Sequence, residues 1–127
     1  MPMARISVPA RMPAGKVRML ADAVHEALVA TCDIPTNERF QLISRFAKPD
    51  MLIDPTFPDM NRSAGASIVE IILLAGRSDE KKRALYFAIV KGAVAGGFHP
   101  DDVMVTLIEN KSIDWSLGRG EAFAKPA

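Results

Sequence analysis

Ser67-Ile68-Val69-Glu70-Ile71-Ile72-Leu73-Leu74-Ala75-Gly76-Arg77 is the stretch whose reading decides the fold. It is almost wholly apolar from Ile68 to Ala75 and rich in β-branched residues. The run is too short to cross a membrane. Stopped by Gly76, it reads as a strand buried on both faces near the middle of a sheet. Gly76 turns the chain, Arg77 stands at the strand's carboxyl end, and Ser78-Asp79-Glu80 opens a helix. Ser78 is placed to cap the free amides, and the two acids complement the positive end of the helix dipole. Open sheets bind ligands beyond the carboxyl ends of their strands, so Arg77 is a candidate to hold an anion there. A solvated arginine is the alternative reading.

Downstream, Gly96-Gly97 stops the helix and Val103 to Ile108 forms another apolar strand. Upstream, residues 47–65 hold prolines and aspartates without a clear period and read as a long ordered loop, with a short strand at Met51-Leu52-Ile53. Phe40 to Phe46 alternates as a strand. Before it, Val17, Leu20, Ala21, Val24, Leu28 and Thr31 form one helical stripe opposite Arg18, Asp22 and Glu26. Asp33-Ile34-Pro35 ends that helix, because the residue before proline is pushed out of the helical region. Pro9 to Gly15 is a loop, and Ala4, Ile6 and Val8 alternate with Met3, Arg5 and Ser7 as a first strand.

The two halves look alike. A slide of 66 residues places Arg11 on Arg77 and the helix from Val17 on that from Arg83. With one residue deleted, Pro35 falls on Pro100 and Phe40 to Ile43 on Val105 to Ile108. The mapped stripe of the second helix is then Tyr86, Phe87, Val90 and Val94. The expected fold is α+β: a single domain over 1–127, a tandem β-α-β repeat with halves at about 2–46 and 67–109, loop 47–65 and tail 110–127. This arrangement predicts a four-stranded mixed sheet with two helices on one face. Central strands apolar on both faces cannot leave one face in water, so identical subunits are expected to cover the other.

Composition excludes whole classes of function. The chain has 127 residues, enough for one real core and too few for two. A formal charge of +1 gives no general attraction for nucleic acid or anionic membrane. No apolar run approaches about 20 residues and the start lacks signal-peptide shape, so a soluble, cytoplasmic protein is expected. Cys32 is the only cysteine and reads as packing. No histidine, cysteine and carboxylate share metal-ligand spacing. Gly92, Gly96 and Gly97 lie at a helix end rather than after a strand, which is no phosphate loop. Ile68 to Leu74 offers no aromatics on which RNA bases would stack. His25 flanks an apolar stripe and His99 sits in a turn; both read as structural.

Three features remain. Met1 precedes Pro2, and methionine is normally trimmed before proline, which leaves a terminal secondary amine. Asn37-Glu38-Arg39 follows Pro35 at the start of a strand. The tail Glu109 to Gly120 holds Trp115, the one tryptophan, among polar and glycine residues. An exposed tryptophan is costly, so Trp115 is expected to pack on a neighbouring subunit or on a pocket wall.

These residues carry a resemblance. Pro2 as first mature residue, Pro35-x-Asn37-x-Arg39, the strand ending in Arg77-Ser78, Pro100-Asp101-Asp102-Val103, and Glu109-Asn110…Asp114-Trp115-Ser116-x-Gly118-Arg119-Gly120 together resemble the tautomerase superfamily, and within it the malonate semialdehyde decarboxylase branch. The resemblance implies a homotrimer, no cofactor, and an amino-terminal proline as the acid–base residue. It also implies a carboxylate near the start of the second strand that positions water. Two arginines near the end of the third strand would hold a substrate carboxylate, and a tryptophan would line the pocket. Carried over position by position, Pro2, Glu38 and Arg77 are the catalytic set, and Arg77, Trp115 and Leu117 bind substrate. Glu38 stands where the decarboxylases have aspartate, Ala75 where they have the first arginine, and Leu117 where they have phenylalanine. Arg45 and Arg62 are the candidates to replace the missing arginine.

A free α-amine titrates at about 7.7–8.0, and burial or nearby cations lower that value. A neutral Pro2 can take a proton alpha to a carbonyl and return it elsewhere, which is tautomerisation of small 2-oxo or enol carboxylic acids. A protonated Pro2 with Glu38 steering water gives hydration or decarboxylation instead. A non-catalytic, oligomeric ligand-binding module is the reading from a different class.

Overall fold

The computed structural model describes residues 1–124; the last three residues of the expected tail lie outside them. The order is β1 (Met3–Pro9), α1 (Ala14–Cys32), β2 (Gln41–Phe46), β3 (Ser67–Leu74), α2 (Asp79–Ala95) and β4 (Val103–Asn110). Short 3-10 turns occur at Lys48–Asp50, Pro100–Asp102 and Ser112–Asp114. The strands form one sheet in the order β2-β1-β3-β4. The two outer pairs are parallel, and the central pair, β1 with β3, is antiparallel. The architecture is the expected α+β one, two β-α-β units side by side.

Alternation decides which side chains meet the helices. Ala4, Ile6 and Val8 of β1 and Val69, Ile71 and Leu73 of β3 are buried. They share one core with Val17, Leu20, Val24 and Leu28 of α1 and Leu85, Ile89 and Ala93 of α2. Each large aliphatic side chain buried this fully contributes about 1.5–3 kcal/mol. Helix ends follow the sequence signals. Asp33 takes the left-handed conformation (φ 57°) just before Ile34-Pro35. Ser78 Oγ accepts from the Lys81 amide at 3.2 Å, with Asp79 and Glu80 in the first turn. Gly76, at φ 115°, turns the chain between β3 and α2 in a region that side chains disfavour.

The buried face of α2 corrects the sequence reading. It is Leu85, Ile89 and Ala93, whereas of the stripe Tyr86, Phe87, Val90 and Val94 the first and third are only half-buried and the other two are exposed, Phe87 at 72%. A one-residue slip in the repeat is the cause. α1 opens at Ala14 and α2 at Asp79, an offset of 65 rather than 66. The smaller offset carries the buried Leu20, Val24 and Leu28 onto the buried Leu85, Ile89 and Ala93. The larger one carries buried Ala4 onto half-buried Glu70 of the opposite sheet face, which a period-2 strand forbids. Ala84 to Ala95 is apolar nearly all round, so periodicity alone does not select the face. Small residues do: a Cβ added at Gly92 would stand 2.8 Å from Ala23 Cβ, so α2 lies against α1 at this point.

Two further differences concern β3 and the long loop. β3 is fully buried on its helix face only. Ile68, Glu70, Ile72 and Leu74 on the other face are half-buried in the single chain. Met51-Leu52-Ile53 forms no strand, and Leu52 is 90% exposed. The loop is ordered by side-chain acceptors rather than by a ladder. Asp54 accepts from the Thr56 and Phe57 amides at 2.9 and 2.8 Å. Asp101 accepts from the Asn61 amide at 2.9 Å, and the buried Asp102 accepts from the Ser63 amide at 2.7 Å.

Candidate active site

Strand directions bring the sequence-predicted residues to one end of the sheet. Pro2 is buried and precedes the pair Met3↔Ile72, so the first residues lie beside the carboxyl end of β3. The Ala4 amide donates to the Phe40 carbonyl at 2.9 Å, which sets Glu38 and Arg39 at the same end. Leu74 pairs with Asn110 and the Ala75 amide donates to Asn110 O at 2.8 Å, so the tail departs from there too. In the full-length chain the terminal ammonium of Met1 lies 3.6 Å from Glu38 Oε2.

Arg77 is not a solvated arginine. Its Nη1 donates to Leu74 O at 3.0 Å and its Nη2 to Cys32 O at 3.3 Å. The guanidinium thus joins the end of β3 to the last residue of α1, where carbonyls lack helical partners and the dipole is negative. Two of its five N–H groups are committed in this way; a planar fork can still present the others to an anion. Arg45 and Arg62 do not replace the arginine missing at Ala75. Arg45 donates to Ala10 O and Met12 O at 3.1 and 2.8 Å, at the opposite end of the sheet. Arg62 donates to the carbonyls of Asp54 and Phe57 within the loop. Nearer cations are paired, Lys81 with Asp33 and Lys82 with Glu109, each at 3.1 Å.

Trp115 packs against the end of β4. The indole Nε1–H donates to Asn110 Oδ1 at 2.7 Å, and the Trp115 carbonyl accepts from the Phe123 amide at 2.8 Å. Leu117, two residues on, is half exposed. Pro2, Glu38, Arg77 and Trp115 are therefore gathered at one end, and Leu117 follows Trp115 on the tail. Two shallow hollows lie on the surface, the first away from this end and the second at the start of α2, close to Arg77 in sequence. One of about 190 Å³ is lined by Ser7, Phe46, Met51 and Ile68 at the far end of the sheet, and one of about 200 Å³ by Asp79, Lys82, Arg83 and Tyr86.

The sequence reading missed the residues that fix the Glu38 turn. The Glu38 amide donates to Pro35 O at 3.0 Å. His25 Nε2 donates to Thr36 O at 2.8 Å. Arg39 Nη2 meets Asp22 Oδ1 at 2.7 Å, its Nε donates to Gln41 Oε1 at 3.0 Å, and Gln41 Nε2 donates to Ala21 O at 2.8 Å. The Arg39 hydrogen bond, supported by Arg18, holds the Asp22 carboxyl below the usual carboxylate range; partial loss of hydration opposes it. The available signal was the i, i+3 spacing of Asp22 and His25, which puts both on one flank of α1. Among the described residues no group of three or more His, Cys, Asp and Glu side chains can hold a metal ion, and no helix is long and apolar enough to cross a membrane.

A family profile described as "Tautomerase enzyme" matches residues 38–118, and the chain belongs to that family. Its similarity to solved malonate semialdehyde decarboxylases is more particular. The FG41 enzyme inhibited by 3-bromopropiolate is 31% identical, with a TM-score of 0.89 over 94% of this chain and 91% of the other. A second malonate semialdehyde decarboxylase is 30% identical, with a TM-score of 0.87 over 94% and 92% of the two chains. The chain is also 27% identical to the probable tautomerase YrdN of Bacillus subtilis (strain 168), over 96% of this chain and 95% of that protein.

Proposed function

We propose that this enzyme interconverts the keto and enol forms of small 2-oxo carboxylic acids, with the secondary amine of Pro2 as the proton carrier once Met1 has been removed. The supporting observation is the convergence of Pro2, Glu38 and Arg77 at one end of the sheet. Arg77 faces the substrate carboxylate with its uncommitted N–H groups. Pro2 nitrogen takes the enol hydroxyl proton, and its conjugate acid delivers a proton to the adjacent carbon, so the ketone forms with no net gain or loss. Glu38, near the chain start, holds the protonated amine by charge and hydrogen bonding. Trp115 gives the pocket an apolar wall.

A water-dependent reaction is the second reading, and one observation favours it: Glu38 lies near the chain start, its Oε2 3.6 Å from the Met1 nitrogen that fills this space before trimming, and a carboxylate there can also guide water. One solved relative is described as a structural basis for decarboxylase and hydratase activities. Against that reading, decarboxylation needs its carboxylate firmly held, and Ala75 offers no second fork. The enzyme acts as a homotrimer in this proposal. The open sheet face presents Ile68, Ile72, Leu74, Met104 and Ile108 around an Arg5–Glu70 cross-strand pair, a surface suited to burial against copies of itself. A fold relative of 20% identity is described as a symmetric trimer of fused 4-OT.

The test uses processed protein, with the terminus verified by intact mass. Ketonisation of phenylenolpyruvate and 2-hydroxymuconate is followed by ultraviolet absorbance, and carbon dioxide release from malonate semialdehyde is measured beside it. Ketonisation is expected to exceed decarboxylation, and Pro2→Ala should remove about 10²–10⁴-fold of it, the usual share of a general acid–base. Efficient decarboxylation with negligible ketonisation would make the second reading the answer. Turnover of none of these acids would leave a ligand-binding module.

A further inference from the structure

We infer that His25 is a positioning residue for Glu38, acting through the Thr36 carbonyl; the inference rests on the proposed role of Glu38. The loop from Asp33 to Phe40 has no regular structure, yet it must deliver one carboxylate to the chain start. Segments of this kind are mobile unless tied down. Here α1 ties it on both sides of Glu38. Two residues before it, the Thr36 carbonyl accepts from His25 Nε2 at 2.8 Å. One residue after it, Arg39 is held by Asp22 at 2.7 Å. Between them the Pro35 carbonyl accepts the Glu38 amide at 3.0 Å and closes the turn.

The two tethers differ in kind. Asp22–Arg39 is a partly exposed ion pair, and its arginine side chain is long and adaptable. His25 is only 9% exposed, and its ring has two torsions, so its nitrogen defines where Thr36 O must lie. The donor role fixes the proton on Nε2. The side chain touches no reacting atom. What it controls is the backbone from which Glu38 reaches the terminal amine.

Size and donor position can be separated by substitution. A glutamine amide nitrogen overlays imidazole Nε2, whereas an asparagine amide overlays Nδ1 and falls short of Thr36 O. His25→Gln should therefore keep the tether, while His25→Asn and His25→Leu lose it. Turnover is measured in whichever reaction Glu38→Gln damages most, and amide hydrogen exchange is followed over residues 36–39. His25→Asn and His25→Leu should lower kcat about ten- to a hundredfold with little change in KM, the loss expected when a reacting group is misplaced by about 1 Å. His25→Gln should restore most of it, and exchange should rise in the two untethered variants alone. On a Glu38→Gln background, His25→Asn should add no further loss, because both changes act on one group. Equal kinetics for His25→Gln and His25→Asn, or an undiminished second loss on that background, would overturn the inference. An unaffected Glu38→Gln would refute the role of Glu38 itself and the His25 role with it. A damaged Glu38→Gln beside an unaffected His25→Asn refutes His25 alone.

Discussion

Replacing Arg77 with alanine should damage folding and turnover by separate amounts, and the structure allows each to be worked out. The guanidinium donates to Leu74 O at 3.0 Å and to Cys32 O at 3.3 Å, so the variant loses two hydrogen bonds from a charged donor. Bonds to charged groups are worth about 1.5–3 kcal/mol each. Arg77 is only half-buried, and water can reach the freed carbonyls, so the stability loss falls at the low end, about 1–3 kcal/mol in all. Loss of a substrate-carboxylate contact is a different quantity, about 2–4 kcal/mol in kcat/KM or roughly thirty- to nine-hundredfold. Arg77→Lys separates the two. An ammonium can still meet Cys32 O and the negative end of α1, but it cannot bridge two carbonyls and grip a carboxylate with one planar fork. We expect urea denaturation to show Arg77→Lys recovering about half the lost stability, while kcat/KM stays at least about tenfold below wild type. If Arg77→Ala loses stability and keeps its full kcat/KM, Arg77 is a clamp between β3 and α1 and binds no substrate.

Asp22 predicts a pH signature. Its folded carboxyl is depressed by Arg39, so its stabilisation is present above the unfolded value of about 3.9 and is lost as pH falls through the lower folded value. Asp22→Asn should therefore cost about 0.2–1 kcal/mol at about pH 6, and the difference from wild type should close below about pH 4; a difference that persists at about pH 2.5 would refute the pairing. Static light scattering at micromolar concentration should give a trimer or a multiple of three, and a stable monomer would remove the case for burying the open sheet face.

Much of the fold was legible because each signal had one meaning. Ile68 to Leu74 was a central strand by composition, Ser78 a cap by chemistry, and Ile34-Pro35 a helix stop by sterics. α2 was the exception. With apolar residues nearly all round, its face was decided by Gly92 fitting against Ala23, a tertiary fact with no period to announce it. Met51 to Ile53 had strand composition, yet aspartate acceptors ordered the loop around it instead. For the candidate site, the shared location of its residues was legible and their wiring was not. Pro2, Glu38, Arg77 and Trp115 stand at one end because parallel and antiparallel pairing put them there, which the strand order implies. That Arg77 also binds the end of α1, and that His25 holds the Glu38 turn, depends on contacts between residues 45 and 11 positions apart.

The antiparallel centre between two parallel pairs gives the sheet an approximate twofold axis, and with an offset of 65 Ser67 occupies the place in the second half that Pro2 has in the first. Ser67 is buried and its hydroxyl donates to Gly65 O at 3.0 Å, so its surroundings are well formed. Its nitrogen, however, sits in a peptide bond, because the long loop leads into it, and an amide nitrogen has no basic lone pair. A polypeptide made of two like halves thus has two similar sheet ends but a single chain start. Covalent continuity, rather than shape, limits each chain to one terminal amine at these two sheet ends.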